Sequence, residues 1–238
     1  MKTLFTLLIA LLLVAGCTTV GPENDEKYEE KSKKSISLSG QVRLKIINTN
    51  GNISIADSDT AKSIIASITR RVRSTSVQDA QEHVNDIVLT YQETSKEIAI
   101  IVSHPGDDGR EYGVDFDITL PDSFEYDIDM SYGDVSVQAI TREIAVDISG
   151  GNATTNVVLM DTCNVFIDIG NGNIALRLPD TTNAAINGVL INGEITLTGL
   201  TLNYQQLTET SISGKLGDGF GTITLGTGNG NIDLIKRL

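Results

Sequence analysis

Gly170-Asn171-Gly172-Asn173-Ile174-Ala175-Leu176 is a tight polar turn followed at once by the first residues of a strand. The same phrase returns as Asn50-Gly51-Asn52-Ile53-Ser54-Ile55, Tyr132-Gly133-Asp134-Val135-Ser136-Val137, Asn192-Gly193-Glu194-Ile195-Thr196-Leu197 and Asn229-Gly230-Asn231-Ile232-Asp233-Leu234. A sharp corner needs a residue with positive φ, which costs glycine almost nothing, and asparagine is the next most tolerant residue. The aliphatic residues that follow, two apart, start a strand with one buried face.

From Pro121 onward the repeat glycines are Gly133, Gly151, Gly172, Gly193, Gly214 and Gly230, spaced by 18, 21, 21, 21 and 16 residues, and Gly51 is an earlier copy. A period near 20 is the signature of a solenoid, in which each coil buries its apolar face only against its neighbours. Ile128, Met130, Ile148, Ile167, Ile169, Ile174, Leu176, Ile195, Leu197, Ile223, Leu225, Ile232 and Leu234 are then expected to point inward. Asn-Gly is also the strongest hairpin signal, so an antiparallel meander or sandwich competes for these turns. The near-constant spacing favours stacked coils, because hairpins of this strand length recur sooner. The expected fold is all-β: a right-handed parallel β-solenoid over residues 122–238 with rungs of about 20 residues.

The N-terminal part of the folded body, residues 36–121, reads as antiparallel strands with one short helix. Val42, Leu44 and Ile46 alternate with Arg43 and Lys45, and Ile64, Ala66 and Ile68 alternate along the next apolar run. Ser76 is placed to cap a helix over residues 76–87, with Val77, Ala80, Val84 and Ile87 on one face. His104-Pro105-Gly106-Asp107-Asp108-Gly109 reads as an exposed hairpin loop. Its acids and glycines suit calcium, but EF-hand spacing is absent.

The 238 residues allow a sizeable core. With 40% hydrophobic residues, 5% aromatics and no Trp, that core must be aliphatic. A net charge of −13 and the lack of a basic patch exclude nucleic acid as a partner.

Ahead of the body, Lys2 and the apolar run Leu4 to Val14 form a targeting segment too short to span a bilayer comfortably. Val14-Ala15-Gly16-Cys17 resembles a bacterial lipobox. That resemblance implies cleavage of residues 1–16, lipid on the Cys17 thiol and membrane anchoring through it. Thr18 at the next position implies sorting to the outer membrane in a Gram-negative cell. Residues 17–35 alternate acids and lysines with little that is apolar, and read as a flexible tether. With Cys17 lipidated, Cys163 is a lone thiol among strand-like neighbours, with no base beside it in sequence.

The repeats, together with the strand Tyr112–Leu120 ending at Pro121 and the closing Thr227-Gly228-Asn229-Gly230-Asn231-Ile232-Asp233-Leu234, resemble a bacterial adhesin-domain family. This is a family of uncharacterised β-solenoid envelope proteins whose adhesin label is provisional. The likeness covers roughly residues 36–238 and departs at Gly150-Gly151-Asn152-Ala153, where Ala153 replaces the aliphatic. It implies a non-catalytic envelope protein that binds an envelope protein or glycan, or serves as a scaffold, with no catalytic residue, cofactor or metal.

Two other functions compete. A polysaccharide lyase or glycosidase needs placed carboxylates; Asp115, Asp117, Asp127, Asp129, Asp134, Asp147 and Asp168 are plentiful but scatter at strand alternation, with no aromatic platform. An accessory of envelope stress signalling is compatible with an anchored domain, and nothing in the residues tests it. The glycine phrases lack the Asp of the calcium-binding nonapeptide, since Ile174 and Ile232 stand there. They also lack the Lys-Ser/Thr of a nucleotide P-loop.

Overall fold

The computed structural model describes residues 26–237; the leader and the candidate lipidation site Cys17 lie outside them. The described region is all-β with one short helix. It begins with β1 (Glu26–Ser37), β2 (Arg43–Asn50), β3 (Ile53–Ser58) and β4 (Ser63–Ser74), followed by α1 (Val77–His83) and a single 3₁₀ turn at Val84–Asp86. Next come β5 (Val88–Glu93), β6 (Glu97–Ser103), β7 (Glu111–Pro121), β8 (Glu125–Tyr132), β9 (Val135–Gly150) and β10 (Ala153–Asn171). The chain ends with β11 (Ile174–Leu178), β12 (Ala184–Asn192), β13 (Ile195–Thr198), β14 (Asn203–Leu207), β15 (Ser211–Leu216), β16 (Gly221–Asn229) and β17 (Ile232–Lys236).

All 17 strands belong to one mixed sheet, within which two parallel ladders run side by side. In the first, β6, β2, β8, the later half of β9, the later half of β10, β16 and β12 follow one another in register. In the second the order is β7, β3, the earlier half of β9, the earlier half of β10, β11, β17 and β13. Each strand of the first ladder turns a corner into a strand of the second, giving seven two-strand rungs. Antiparallel strands finish the ends: β5 on β6, β4 and β1 on β7, and β15 and β14 on β12.

Period-two alternation builds the core. Ile128, Met130, Ile148, Ile167, Ile169, Ile174, Leu176, Ile195, Ile223, Leu225, Ile232 and Leu234 are buried in one aliphatic cluster shared by both ladders, and Leu197 packs half-buried against it. Ala153 is also fully buried, so the rung with the smallest aliphatic still faces inward.

The rungs do not stack in chain order. The rung cornered at Gly230 lies between those cornered at Gly172 and Gly193, because β16 pairs with both β10 and β12 and β17 pairs with both β11 and β13. The equal spacing around Gly214 is therefore not a rung period. Gly214 sits within β15, antiparallel to β12, and has no positive φ. A side chain there would press on Leu202, whose Cβ lies 3.0 Å from the position a Gly214 Cβ would take. The step from 18 to 21 residues also has a local cause: Met160–Cys163 in β10 stand opposite Arg142 alone in β9, three extra residues in one bulge.

Three other expectations are corrected. Residues 26–35, expected in the tether, form most of β1, paired with β4 from Glu26↔Ser74 to Ser37↔Ser63. The helix ends at His83, and Val77 is exposed although Ala80, Val84 and Ile87 are buried; Ser76 caps it by accepting from the Asp79 N–H at 3.1 Å. The loop at residues 104–109 is no hairpin, since β6 and β7 pair with β2 and β3 and not with each other. It is a corner of the rung stack made without the Asn-Gly phrase.

Candidate functional site

The corners form a continuous column. Gly51, Gly133, Gly151, Gly172, Gly230 and Gly193 all have φ between +126° and +147°. Each of the first five donates its N–H to a carbonyl of the next rung at 2.8–3.1 Å. The first strand residue after each of those corners, Ile53, Val135, Ala153, Ile174 and Ile232, does the same at 2.8–3.0 Å. The glycines pack carbonyl against Cα: a Cβ on Gly133 would sit 1.9 Å from the Gly51 oxygen, and one on Gly172 would sit 1.7 Å from that of Gly151.

The residue after each glycine builds a second column. The backbone N–H of Asn52 donates to Asp115 Oδ1, Asp134 N–H to Asn52 Oδ1, Asn152 N–H to Asp134 Oδ1 and Asn173 N–H to Asn152 Oδ1. Asn231 N–H then donates to Asn173 Oδ1, and Glu194 N–H to Asn231 Oδ1, all six bonds at 2.8–3.0 Å. The side-chain amides of Asn152 and Asn173 add bonds of 2.9 and 3.0 Å along the same row. Seven carboxyl and amide side chains thus line one edge of the second ladder. The sequence signal is that the residue after a corner glycine is always an amide or a carboxylate.

Beside this row runs a floor of small outward residues, Ser54, Ser136, Thr154 and Ala175, neighbours on successive strands. Together they line a shallow trough; its central depression, about 520 Å³, is bounded by Asp134, Asn152 and Asn173. Toward β1 the trough continues past Asp115 and Asp117 to Lys31. Arg71 Nη1 holds Asp115 there at 2.8 Å.

The outer face of the first ladder carries a row of like charge, Asp129, Asp147 and Asp168, directly opposite one another on β8, β9 and β10. Partial desolvation of an otherwise exposed side chain, and then Asp168 and Asp129, push the Asp147 carboxyl above its usual range. The folded state therefore favours protonated Asp147, and its ionised form is a burden that grows as pH rises through the carboxylate range. Asp147→Asn is expected to stabilise the fold at neutral pH, by no more than about 1 kcal/mol as for other opposed like charges. The gain should vanish at a pH below the carboxylate range, where Asp147 is protonated in both states; calorimetry across pH reads this.

The remaining candidates are structurally occupied. Cys163 is buried and free, and burial pushes its thiol up, away from a nucleophilic thiolate. In the 104–109 corner, Asp108 bonds Arg110 and the Tyr112 hydroxyl, while His104 stacks on Tyr112 at 5.2 Å. Arg110 also makes two 2.7 Å bonds to Asp79 in α1. Those bonds, with one from Ser74, hold the Asp79 carboxyl well below the usual range. These acids serve a guanidinium clamp. No cluster of three or more metal-ligating side chains occurs among the described residues.

No protein-family model and no curated protein matches this chain. Solved structures do. A provisionally named cell adhesion protein of Clostridium sporogenes superposes over 88% of this chain and all of its own, with a TM-score of 0.64 and 15% identity. That likeness shows a shared fold. Provisionally named adhesins of Parabacteroides merdae and Parabacteroides distasonis align at 11% identity each, over 86% and 88% of this chain and 81% and 98% of theirs, with TM-scores of 0.43 and 0.33.

Proposed function

We propose that this chain is a lipid-anchored protein of the cell envelope, held through Cys17 in a membrane that is the outer one in a Gram-negative cell, and that it binds an extended, hydroxyl-rich polymer such as an envelope glycan and performs no catalysis on it. The rung stack reads as a short parallel solenoid finished by antiparallel strands. The observation that carries the binding reading is the polar row from Asp115 to Glu194 beside the floor of Ser54, Ser136, Thr154 and Ala175. Small side chains leave the trough open. Groups that repeat once per rung, about 4.8 Å apart, suit a ligand that is itself a repeating chain. The anchor reading rests on Val14-Ala15-Gly16-Cys17, and two or three acyl chains hold firmly where one is marginal.

Two measurements test this. Cells fed an alkyne fatty acid should label the wild-type chain and not Cys17→Ser, and the variant should leave the membrane fraction. A chain carrying Thr154→Arg and Ala175→Arg, which fills the trough floor, should bind purified envelope polysaccharide at least tenfold more weakly with an unchanged melting temperature. Equal binding by that variant would remove the trough from the reading, and cleavage of the polysaccharide by the wild type would replace binding with catalysis.

A further inference from the structure

The column of corners stops abruptly at one end. Five corner glycines donate to the next rung, and so do the five residues two positions further on. Gly193 N–H and Ile195 N–H occupy the sixth place in these two series, and no rung follows to accept from them among the described residues. The side-chain row ends there too. Asn231 Oδ1 accepts from Glu194, while the Glu194 carboxylate stands where an acceptor for the next N–H belongs. β13 pairs with β17 alone.

The first ladder does not stop at the same level. It continues past β12 with β15 and β14, so the turn between them overhangs the free edge of β13. Gly193, Glu194 and Ile195 on one side, and Leu207, Thr208 and Glu209 on the other, enclose a notch of about 510 Å³. Leu207 is 47% exposed there. Glu194 and Glu209 are both exposed, and neither has an ion-pair partner among the described residues.

An exposed strand edge is a template for strand addition. We propose that the open edge of β13 binds an extended, glycine-cornered peptide segment of another protein, with a lysine or arginine just after its glycine. Its two corner carbonyls would accept from Gly193 and Ile195, as Asn192 and Glu194 accept from Gly230 and Ile232. The residue after its glycine falls beside Glu194, in the row where Asn231 pairs with Glu194 on the other edge, so a cation there meets the two unpaired carboxylates. With the leader cleaved before Cys17 as the lipobox implies, the tether that remains is a poor occupant. It joins β1 at the far end of the second ladder, eight strand spacings or about 38 Å from β13, whereas residues 18–25 span at most about 29 Å.

The probe is a synthetic peptide with the sequence of residues 227–237, whose corner already presents acceptors to Gly172 and Ile174, and a version of it with Asn231→Lys. Titrated into the purified full-length chain, the lysine peptide should bind at least fivefold tighter than the parent. Amide hydrogen exchange should slow at Gly193 and Ile195. Glu194→Lys is exposed and keeps its backbone bond to Asn231, so it should melt like the wild type and bind the lysine peptide at least tenfold more weakly. The proposal is overturned by no binding at millimolar peptide, by equal binding to Glu194→Lys, or by protection at β1, β5 or β14 instead. If the chain alone self-associates in sedimentation with Gly193 and Ile195 protected, the edge belongs to a second copy and the peptide reading also falls.

Discussion

Gly172→Ala is expected to remove the cooperative melt of the native chain, or to cost more than about 4 kcal/mol if any fold survives. Two effects add. The backbone there has φ +147°, a region that costs an L-residue roughly 1–3 kcal/mol. The new Cβ would also stand 1.7 Å from the Gly151 oxygen and 2.6 Å from its carbonyl carbon. Both atoms are backbone of the preceding rung, so relief requires parting two rungs and losing the bonds from Gly151 to Asn171 and from Ala153 to Asn173. Gly40→Ala separates the two effects. Gly40 has φ +117° with nothing within 4 Å of its missing Cβ, so it suffers strain alone, about 1 kcal/mol. Thermal melts of the two variants read the difference, and similar melting temperatures would show that the corners are not closely stacked.

Ile167→Ala should destabilise by about 2–5 kcal/mol, the range for truncating a fully buried aliphatic. Ile167 lies between Val146 and Leu225 on the neighbouring strands, both fully or almost fully buried, and β ladders on either side limit collapse into the cavity. Phe166→Ala, one residue earlier, removes a larger side chain that is 43% exposed on the outer face, and should cost less than Ile167→Ala. Urea titration of both variants measures this. An inverted order would mean that the later half of β10 is one residue out of register.

The features legible from sequence were the local ones. Alternation identified the buried aliphatics, because a strand repeats every two residues whatever it pairs with. The phrases of a glycine followed by Asn, Asp or Glu marked the corners at Gly51, Gly133, Gly151, Gly172, Gly193 and Gly230, because positive φ is a property of one residue. Gly214 was misread because a glycine required by close packing against Leu202 looks the same in sequence as one required by a turn. β1 was misread as tether because an edge strand covered on one side only can be charged along most of its length. Of its twelve residues only Ile36 is buried, and its lysines are of the kind that keep sheet edges from pairing further. No single polar row stands out in the sequence because each Asn or Asp is ordinary in its own turn; what makes a site is the spatial succession of rungs, and that succession is not the chain order.

That reordering has a consequence for how the chain comes to be folded. The rungs cornered at Gly172 and Gly193 are adjacent in sequence yet do not pair, and residues 221–236 lie between them in the sheet. A chain threaded through a membrane from its N-terminus therefore exports β12 and β13 before their partners exist. Until residues 221–236 follow, Ile186 and Leu190 on β12 have only the antiparallel strand β15 beside them, and Ile195 on β13 has no partner strand. Closure of the stack thus waits on residues 221–236, and a chain lacking that rung leaves two unfinished surfaces instead of one shorter protein.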